Sequence, residues 1–328
     1  MNKDIWVYIE QIEGKIANVS LELLGEAHRL KEQMQEPGKV VAVIIGSELD
    51  QLIPTLEEYG AEKIYVADDK RLKLYESQHY ATIFQKLIEK EDPHILLVGA
   101  TAIGTQLAPT IAGKVKTGVA AHSVELKIDQ NDQLVAVVPA FGGKVLGDIL
   151  CPNRRPQMAS IKPGILDKPE KKKVETEIIK VDLNFLNQVK TNLKPLNLQR
   201  EEPKGVPLEE ADIVVCGGWG IGDKETWHYL EQIAEKLGGA VACTRPPVDE
   251  GWAAGEHLMI GTSGKSVRPK IYLGFGISGA THHVCGMKDA GLIISVNKDE
   301  NAEIFKVSDY GIVGDVKKIL PLLAEAVK

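Results

Sequence analysis

The sequence has no apolar stretch long enough to cross a membrane. A transmembrane helix needs roughly 20 consecutive, mostly apolar residues, and no stretch of these 328 residues reaches even about 18. The N-terminal run MNKDIWVYIEQ also lacks the apolar core and cleavage site of a secretory signal. We therefore expect a cytoplasmic protein with no membrane span.

Cysteine is scarce and scattered, which argues against a metal site. The four cysteines are Cys151, Cys216, Cys243 and Cys285, and no two of them form a C-x-x-C pair. Iron–sulfur and structural zinc sites need several closely spaced ligands. We expect no metal, and we interpret all four cysteines as buried thiols that pack as small hydrophobic side chains.

Excess positive charge is also missing. The chain has 39 lysines and arginines against 46 aspartates and glutamates, for a net charge of −7. Nucleic-acid binding usually requires a basic face, so a nucleic-acid partner is not expected. No nucleophile stands beside an obvious general base either, so we assign no catalytic residue.

Strand and helix patterns alternate along the chain in two blocks, which predicts an α/β fold with mostly parallel sheets. In the first block we predict strands at 5–9, 40–45, 64–67 and 95–98, and helices around 23–34, 49–59 and 83–88, with Ser20 as a helix cap. Beyond Thr117 the pattern changes to strands 119–128 and 134–138 around a turn at 130–132, which predicts an antiparallel extension.

The stretch KPLNLQREEPKGVP at 194–207 has three prolines and no apolar period, so we expect a linker there. This divides the chain into an N-terminal α/β domain (1–193) and a C-terminal Rossmann-like domain (208–328). The second block predicts strands at 213–215, 240–242, 271–273 and 292–296, and helices through 227–237 and 316–327.

The most informative motif is the glycine run after strand 271–273. Gly274, Gly276 and Gly279 have the G-x-G-x-x-G spacing and precede a helix that we expect to open at Ala280. Such a turn brings the backbone close to a pyrophosphate at a helix N-terminus, which indicates an adenine dinucleotide. Asp299 follows at the distance of a ribose-binding acid, so an NAD-dependent dehydrogenase is one hypothesis.

The pair His282 and His283 stands in the first turn of this helix, beside the glycine turn. A side-chain donor there could reach a bound ligand, and a hydride-transfer site has no obvious need for it. A non-redox regulator that binds an adenine nucleotide is a further hypothesis.

Several longer runs carry a family resemblance. They are RPQMASIKPG (155–164), VVCGGWGIG (214–222), CTRPPVDEGW (243–252), IGTSGKSVRP (260–269) and GISGATHHVCGMKDAGLIISVNKDENAEIFKVSDYGIVGD (276–315). In this order they resemble the alpha subunit of the electron-transferring flavoproteins, over essentially the whole chain. The resemblance implies FAD in the C-terminal domain and a heterodimer with a beta subunit, formed through the N-terminal domain.

The resemblance also implies a function. The family carries electrons between a donor, such as an acyl-CoA dehydrogenase or another dehydrogenase, and an acceptor. In some relatives the beta subunit binds a second FAD and oxidises NADH in an electron-bifurcating complex, and this chain alone does not distinguish the two types. We expect a redox carrier rather than a free-standing enzyme.

Individual site residues follow from the same resemblance. Arg245 matches an arginine that lies over the flavin, Ser263 matches a hydroxyl donor near N5, and His283 matches a donor to the O2 edge, whereas His282 replaces a glutamine. Trp219 departs from the family, which has an arginine there, so that contact is in doubt. The complete implied set is Trp219, Thr244, Arg245, Ile260, Gly261, Thr262, Ser263, Ser278, Gly279, Ala280, Thr281, His282, His283, Asn297 and Asp315.

Overall fold

The computed structural model describes residues 2–140, 145–198 and 205–327. These form two compact units, the first comprising 2–140 and 146–198 and the second chiefly 205–327. The predicted linker at 194–207 lies partly outside the described residues. Within the described ranges, no helix combines the length and the apolarity that a membrane span requires.

The first unit is built on a seven-stranded parallel sheet with helices on both faces. Its strands are β1 (Ile5–Ile9), β2 (Gln11–Ile12), β3 (Lys15–Ile16), β4 (Val40–Gly46), β5 (Lys63–Asp68), β6 (Ile95–Gly99), β7 (Val119–Ser123), β8 (Glu125–Ile128), β9 (Leu134–Ala140), β10 (Val145–Ile149), β11 (Gln157–Ile161) and β12 (Glu177–Lys180). Its helices are α1 (Asn18–Gln33), α2 (Ile53–Glu58), α3 (Ser77–Glu91) and α4 (Ala102–Val115). The strand order is β12-β5-β4-β1-β6-β11-β7.

Strand β1 lies in the middle of this sheet and is buried along its whole length. Because side chains alternate along a strand, Ile5, Val7 and Ile9 face one core, while Trp6 and Tyr8 face the other. Helices α1 and α2 cover the first core and α3 and α4 the second. Burial on both faces explains why β1 and β4 are continuous apolar runs.

The antiparallel extension is confirmed, with one correction. Strands β8 and β9 pair antiparallel around the predicted turn, with Ile128 opposite Leu134, and β10 lies beside β9. The predicted single strand 119–128 is wrong, because β7 pairs parallel with β11 in the main sheet and only β8 joins the extension. Helix α4 was not predicted; Pro109 and two glycines weaken its helical pattern.

Ser20 does not cap α1 as predicted. The helix begins at Asn18 with Ala17 in the N-cap position. The Ser20 hydroxyl instead accepts the N–H of Glu10 at 2.9 Å, a tertiary bond that local sequence does not reveal.

The second unit is a five-stranded parallel sheet in the order β14-β13-β15-β16-β17. The strands are β13 (Ile213–Gly217), β14 (Ala240–Cys243), β15 (Ile271–Phe275), β16 (Ile293–Asn297) and β17 (Tyr310–Val313), and the helices are α5 (Lys224–Lys236), α6 (Arg245–Asp249), α7 (Thr281–Val284) and α8 (Val316–Ala326). Helices α5 and α8 pack together on one face. Irregular segments with Ile260, Met287 and Ile304 cover the other.

The predicted strands and helices of this unit agree with the structure to within a few residues, and β17 was not predicted. The helix expected to open at Ala280 is a single turn, since α7 ends at Val284. The chain then continues through turns, and Gly286 packs against the backbone of Gly261.

Candidate cofactor site

A cleft of about 1260 Å³ opens at the carboxyl edge of the second sheet. The loops after all five strands contribute to its walls, as expected for ligand sites of parallel sheets. It is lined by every residue of the implied set except Gly279 and Thr281: Trp219, Thr244, Arg245, Ile260, Gly261, Thr262, Ser263, Ser278, Ala280, His282, His283, Asn297 and Asp315. The motifs that are far apart in the sequence therefore meet at one site.

Two glycine loops interlock at the floor of the cleft. The Gly218 N–H donates to the Phe275 carbonyl at 2.8 Å, and the Gly220 N–H donates to the Gly276 carbonyl at 2.9 Å. A Cβ on Gly276 would lie 2.7 Å from the Cα of Gly220. The loops can approach this closely only without side chains, and this contact leaves the intervening Trp219 67% exposed at the cleft.

Gly279 does not face the cleft. It has φ +89°, and a Cβ there would lie 2.0 Å from the backbone nitrogen of Ile304. Its neighbours Ser278 and Ala280 do line the cleft. Ala280 is the N-cap of α7 and makes no side-chain capping bond, so the N-terminal N–H groups of this turn have no side-chain cap.

The segment 260–264 forms another wall and is tied to the sheet and to α7. The Ile260 N–H donates to the Cys243 carbonyl at 3.0 Å, and the Thr262 N–H donates to the His282 carbonyl at 2.8 Å. Gly261 has φ +139°, and a Cβ there would lie 2.4 Å from the same His282 carbonyl. This anchoring presents the exposed Thr262 and Ser263 to the cleft.

The two adjacent histidines have different environments. His282 is exposed, whereas His283 is buried although its side chain borders the cleft. Nε2 of His283 lies 2.7 Å from the Tyr272 hydroxyl, and Nδ1 lies 3.1 Å from the Ile260 carbonyl. Both ring nitrogens are therefore engaged within the protein, and direct donation from His283 to a flavin stays a prediction that requires one of these bonds to open.

Arg245 lies at the rim as the first residue of α6. Its Nε donates to Asp249 at 2.8 Å, and its Nη1 lies 3.5 Å from a Glu256 carboxylate oxygen. The hydrogen bond to Asp249 and the charges of both carboxylates raise the pKa of the guanidinium. The side chain remains exposed, and these ion pairs orient it at the rim.

At the other end, Asn297 and Asp315 have structural contacts of their own. The Asn297 amide donates to the Ile277 carbonyl at 2.8 Å, which joins the end of β16 to the loop after β15. Asp315 caps α8 by accepting the Lys317 N–H at 3.0 Å. Lys317 in turn pairs with Asp223 at 2.5 Å.

Sequence reasoning did not assign several residues that line this cleft. They include Trp252, Asn301, Glu303 and Lys317. Trp252 belongs to the CTRPPVDEGW run and could have been found from the resemblance. Asn301 and Glu303 follow β16 in a polar segment with no periodic signal, and Lys317 is in the first turn of α8, after β17. Only the meeting of β16, β17 and the segments that follow them brings these three residues to the site.

The cysteines agree only partly with expectation. Cys216 and Cys243 are buried, but Cys151 and Cys285 are only half-buried, so the interpretation of four buried thiols is wrong for that pair. Burial raises the pKa of Cys243 to about 12, which keeps it an unreactive thiol. Among the described residues, no three His, Cys, Asp or Glu side chains are grouped as a metal site.

The cleft has the size and the donors that an adenine dinucleotide needs. Its volume exceeds the roughly 300–1,000 Å³ of ordinary small-ligand sites. The exposed hydroxyl side chains of Ser263 and Ser278 and the guanidinium of Arg245 border it, while the Thr262 hydroxyl donates to the His282 carbonyl at 3.3 Å. This donor set fits a diphosphate and a polar ring system.

Comparison with known proteins agrees with this chemistry. Residues 5–186 match the model of the electron transfer flavoprotein domain, and residues 207–288 match that of the electron transfer flavoprotein FAD-binding domain. The chain is 41% identical to the electron transfer flavoprotein subunit alpha of Thermoanaerobacterium thermosaccharolyticum, over 99% of this chain and 98% of that protein. It is 42% identical to the Megasphaera elsdenii subunit alpha, over 99% and 96%.

A third relative, the acryloyl-CoA reductase electron transfer subunit beta of Anaerotignum propionicum, is 36% identical over 99% of this chain and 96% of its own. None of these matches supports an NAD-dependent dehydrogenase or a non-redox regulator. The chain belongs to the electron transfer flavoprotein alpha subunit family, and FAD is the cofactor of its second unit.

Proposed function

We propose that the chain relays electrons through an FAD held in the cleft of its second unit, as one subunit of a heterodimer. The observation that carries this proposal is the convergence of five strand-end loops, with the implied cofactor residues, on one cleft. The chain is then a carrier that presents its cofactor to other proteins rather than a free-standing enzyme.

Different residues around the cleft would bind different parts of the cofactor. Ser278, Ala280 and the first N–H groups of α7, at Thr281 and His282, would hold the diphosphate, because the N–H groups that open a helical turn favour an anion. Asn297 and Asp315 would lie toward the adenosine. Arg245 and Ser263 would lie at the ring, in the roles that the family resemblance implies.

FAD supplies a ring that accepts and returns electrons one or two at a time. The part of the protein is to bind that ring, orient it and set the charge around it. A guanidinium at Arg245 favours negative charge nearby, and the hydroxyl of Ser263 can donate a hydrogen bond to a ring atom. Arg245 is oriented by Asp249 and Glu256, and Ser263 lies on the segment that Ile260 and Thr262 tie to the sheet and to α7.

A beta subunit is the partner that the homologues imply. We propose that the exposed apolar side chains on and after β10 contribute to this contact. Val145 and Leu146 are 51% and 58% exposed, and Ile149 and Leu150 are each 42% exposed. An apolar strand at the edge of a sheet is a surface that proteins usually cover.

The dehydrogenase partner is proposed from the Anaerotignum propionicum relative, whose name assigns it to an acryloyl-CoA reductase. We propose that an acyl-CoA dehydrogenase or a related flavoenzyme exchanges electrons with this chain. Mixing the purified heterodimer with such an enzyme and its acyl-CoA substrate should bleach the flavin absorbance. Bleaching by NADH alone would instead favour the bifurcating type of complex.

The test of the function itself is the absorbance spectrum of the purified full chain, with identification of the nucleotide released on heating. Flavin bands and released FAD are expected. Ser278→Tyr should obstruct the cleft and reduce the bound FAD, whereas Ser77→Tyr, at the start of α3 in the first unit, should leave it unchanged. Equal FAD content in both variants would contradict the assignment of the cleft.

A further inference from the structure

Three elements of the second unit meet in a hydrogen-bonded chain beneath the cleft. Tyr272 is on β15, His283 is on α7, and Ile260 begins the wall segment 260–264. The Tyr272 hydroxyl lies 2.7 Å from Nε2 of His283, and Nδ1 of His283 lies 3.1 Å from the Ile260 carbonyl. The three residues are 0%, 6% and 3% exposed, so water does not compete for these bonds.

The chemistry of the partners determines where each proton lies. A carbonyl oxygen only accepts, so Nδ1 of His283 must carry a hydrogen. Burial lowers the pKa of His283 to about 4, and at neutral pH the ring therefore has one proton and Nε2 is an acceptor. Burial also raises the pKa of the Tyr272 phenol well above its ordinary value, so Tyr272 keeps its proton and donates it to Nε2.

We propose that Tyr272 is a positioning residue of the cofactor site. By donating to Nε2 it fixes the Nδ1–H tautomer and the ring orientation of His283, and the Nδ1–H bond then holds the wall segment 260–264 in place. The proposal rests on the proposed function only in taking FAD as the ligand of the cleft. The hydrogen bonds that join Tyr272, His283 and Ile260 are bonds within the protein and can be tested with or without the cofactor.

The consequence for the site follows from what the wall segment presents. Thr262 and Ser263 are its exposed residues at the cleft, and the family resemblance puts a ring contact at Ser263. The bond from His283 to Ile260 is a side-chain link between this segment and α7, and Tyr272 extends it to the sheet. Loss of the Tyr272 hydroxyl would leave Nε2 without its donor, so that only the Ile260 carbonyl would still favour the Nδ1–H tautomer and the Nε2–H tautomer would become more populated.

Two buried thiols, those of Cys216 and Cys243, act on the Tyr272 hydroxyl. The thiol of Cys216, on the neighbouring strand β13, interacts with the Tyr272 hydroxyl and is completely buried. The thiol is neutral, since burial raises its pKa. His282, the next titratable side chain along α7, is exposed.

The tautomer can be read directly by NMR of the full chain labelled with ¹⁵N-histidine, both as purified and after removal of the cofactor. The signals of His283 are identified by their loss in His283→Gln. Wild type should show a protonated Nδ1 and an unprotonated Nε2 near neutral pH. Tyr272→Phe should mix the tautomers and raise the pKa of His283 by roughly one unit, from the loss of about one neutral hydrogen bond.

The second readout is the FAD dissociation constant, which we expect Tyr272→Phe to raise roughly two- to tenfold. Tyr80→Phe is the matched control, because Tyr80 is also buried and its hydroxyl donates to the Leu72 carbonyl at 3.2 Å in the first unit. Unchanged histidine signals in Tyr272→Phe, or FAD affinity that changes no more than in Tyr80→Phe, would overturn the proposal.

If Tyr272→Phe does not fold, the wild-type spectrum still decides, because a protonated Nε2 on neutral His283 is incompatible with the proposed bond. A wild-type chain that binds no FAD would contradict the proposed function, while the cofactor-free histidine signals would still test the role of Tyr272.

Discussion

Gly279 allows a close contact of two backbone segments, and an alanine there should destabilise the second unit strongly. The added methyl group would lie 2.0 Å from the Ile304 nitrogen, which donates to the Ser278 carbonyl at 3.1 Å. A non-glycine residue at positive φ costs about 1–2 kcal/mol, and forced overpacking costs about 1–3 kcal/mol more. We expect Gly279→Ala to lower the free energy of unfolding by about 2–5 kcal/mol.

Gly238 provides the matched control. It also has positive φ, +63°, but a Cβ there would meet nothing within 4 Å. Gly238→Ala therefore costs only the backbone term, about 1–2 kcal/mol. The difference between the two variants isolates the contact with Ile304.

Hydrogen exchange in urea, followed by mass spectrometry, measures the two units separately. Peptides from the first unit serve as an internal reference and should be unaffected by either substitution. Peptides from β15 and β16 should lose protection at lower urea in Gly279→Ala than in Gly238→Ala. Equal losses in the two variants would refute the reasoning, since the backbone contact would then contribute nothing.

Two further changes test the charges. Arg245→Gln should lower the potential at which bound flavin takes its first electron. The shift should be on the order of tens of millivolts, because the guanidinium is exposed. Arg71→Gln in the first unit should leave the potential unchanged, and a redox titration measures both variants. Burial raises the pKa of Glu22 from 4.5 to about 7, so the folded chain holds a proton that the unfolded chain loses above about pH 4.5. Stability should therefore fall as the pH rises from about 4.5 to 7, by up to roughly 1.4 kcal/mol per unit. In Glu22→Gln, urea denaturation across this range should show a flatter profile; an unchanged slope would exclude Glu22 as the cause.

The position of the site was predictable because the rule behind it is topological. Once strands 213–215, 240–242 and 271–273 are assigned to a parallel sheet, the residues that follow each strand must meet at one edge. Thr244 and Ser278 could thus be placed at one cleft without any knowledge of their contacts. Lys317 could not, because β17, the short and exposed strand that precedes it, has no buried apolar pattern.

The function of each glycine was less predictable than the presence of the turn. The G-x-G-x-x-G spacing shows that backbones approach closely, but it does not specify which ones. The missing Cβ of Gly276 faces Gly220 and that of Gly279 faces Ile304, so both spaces are filled by the protein itself. At these positions the glycines allow the backbones of the floor and wall to pack closely. The groups that can contact the ligand are the N–H groups and hydroxyls beside them.

The histidine pair shows most clearly where sequence reasoning ends. Adjacent residues on a helix turn point in different directions, so His282 and His283 have different surroundings, but the turn alone does not determine which of them is buried. The buried histidine is His283, whose Nε2 hydrogen-bonds to the buried hydroxyl of Tyr272 on a separate strand. Any effect of His283 on a flavin must therefore act through this bond or break it. His283→Gln and Tyr272→Phe should then change the flavin potential in the same direction, and opposite changes would mean that His283 contacts the ring independently of Tyr272.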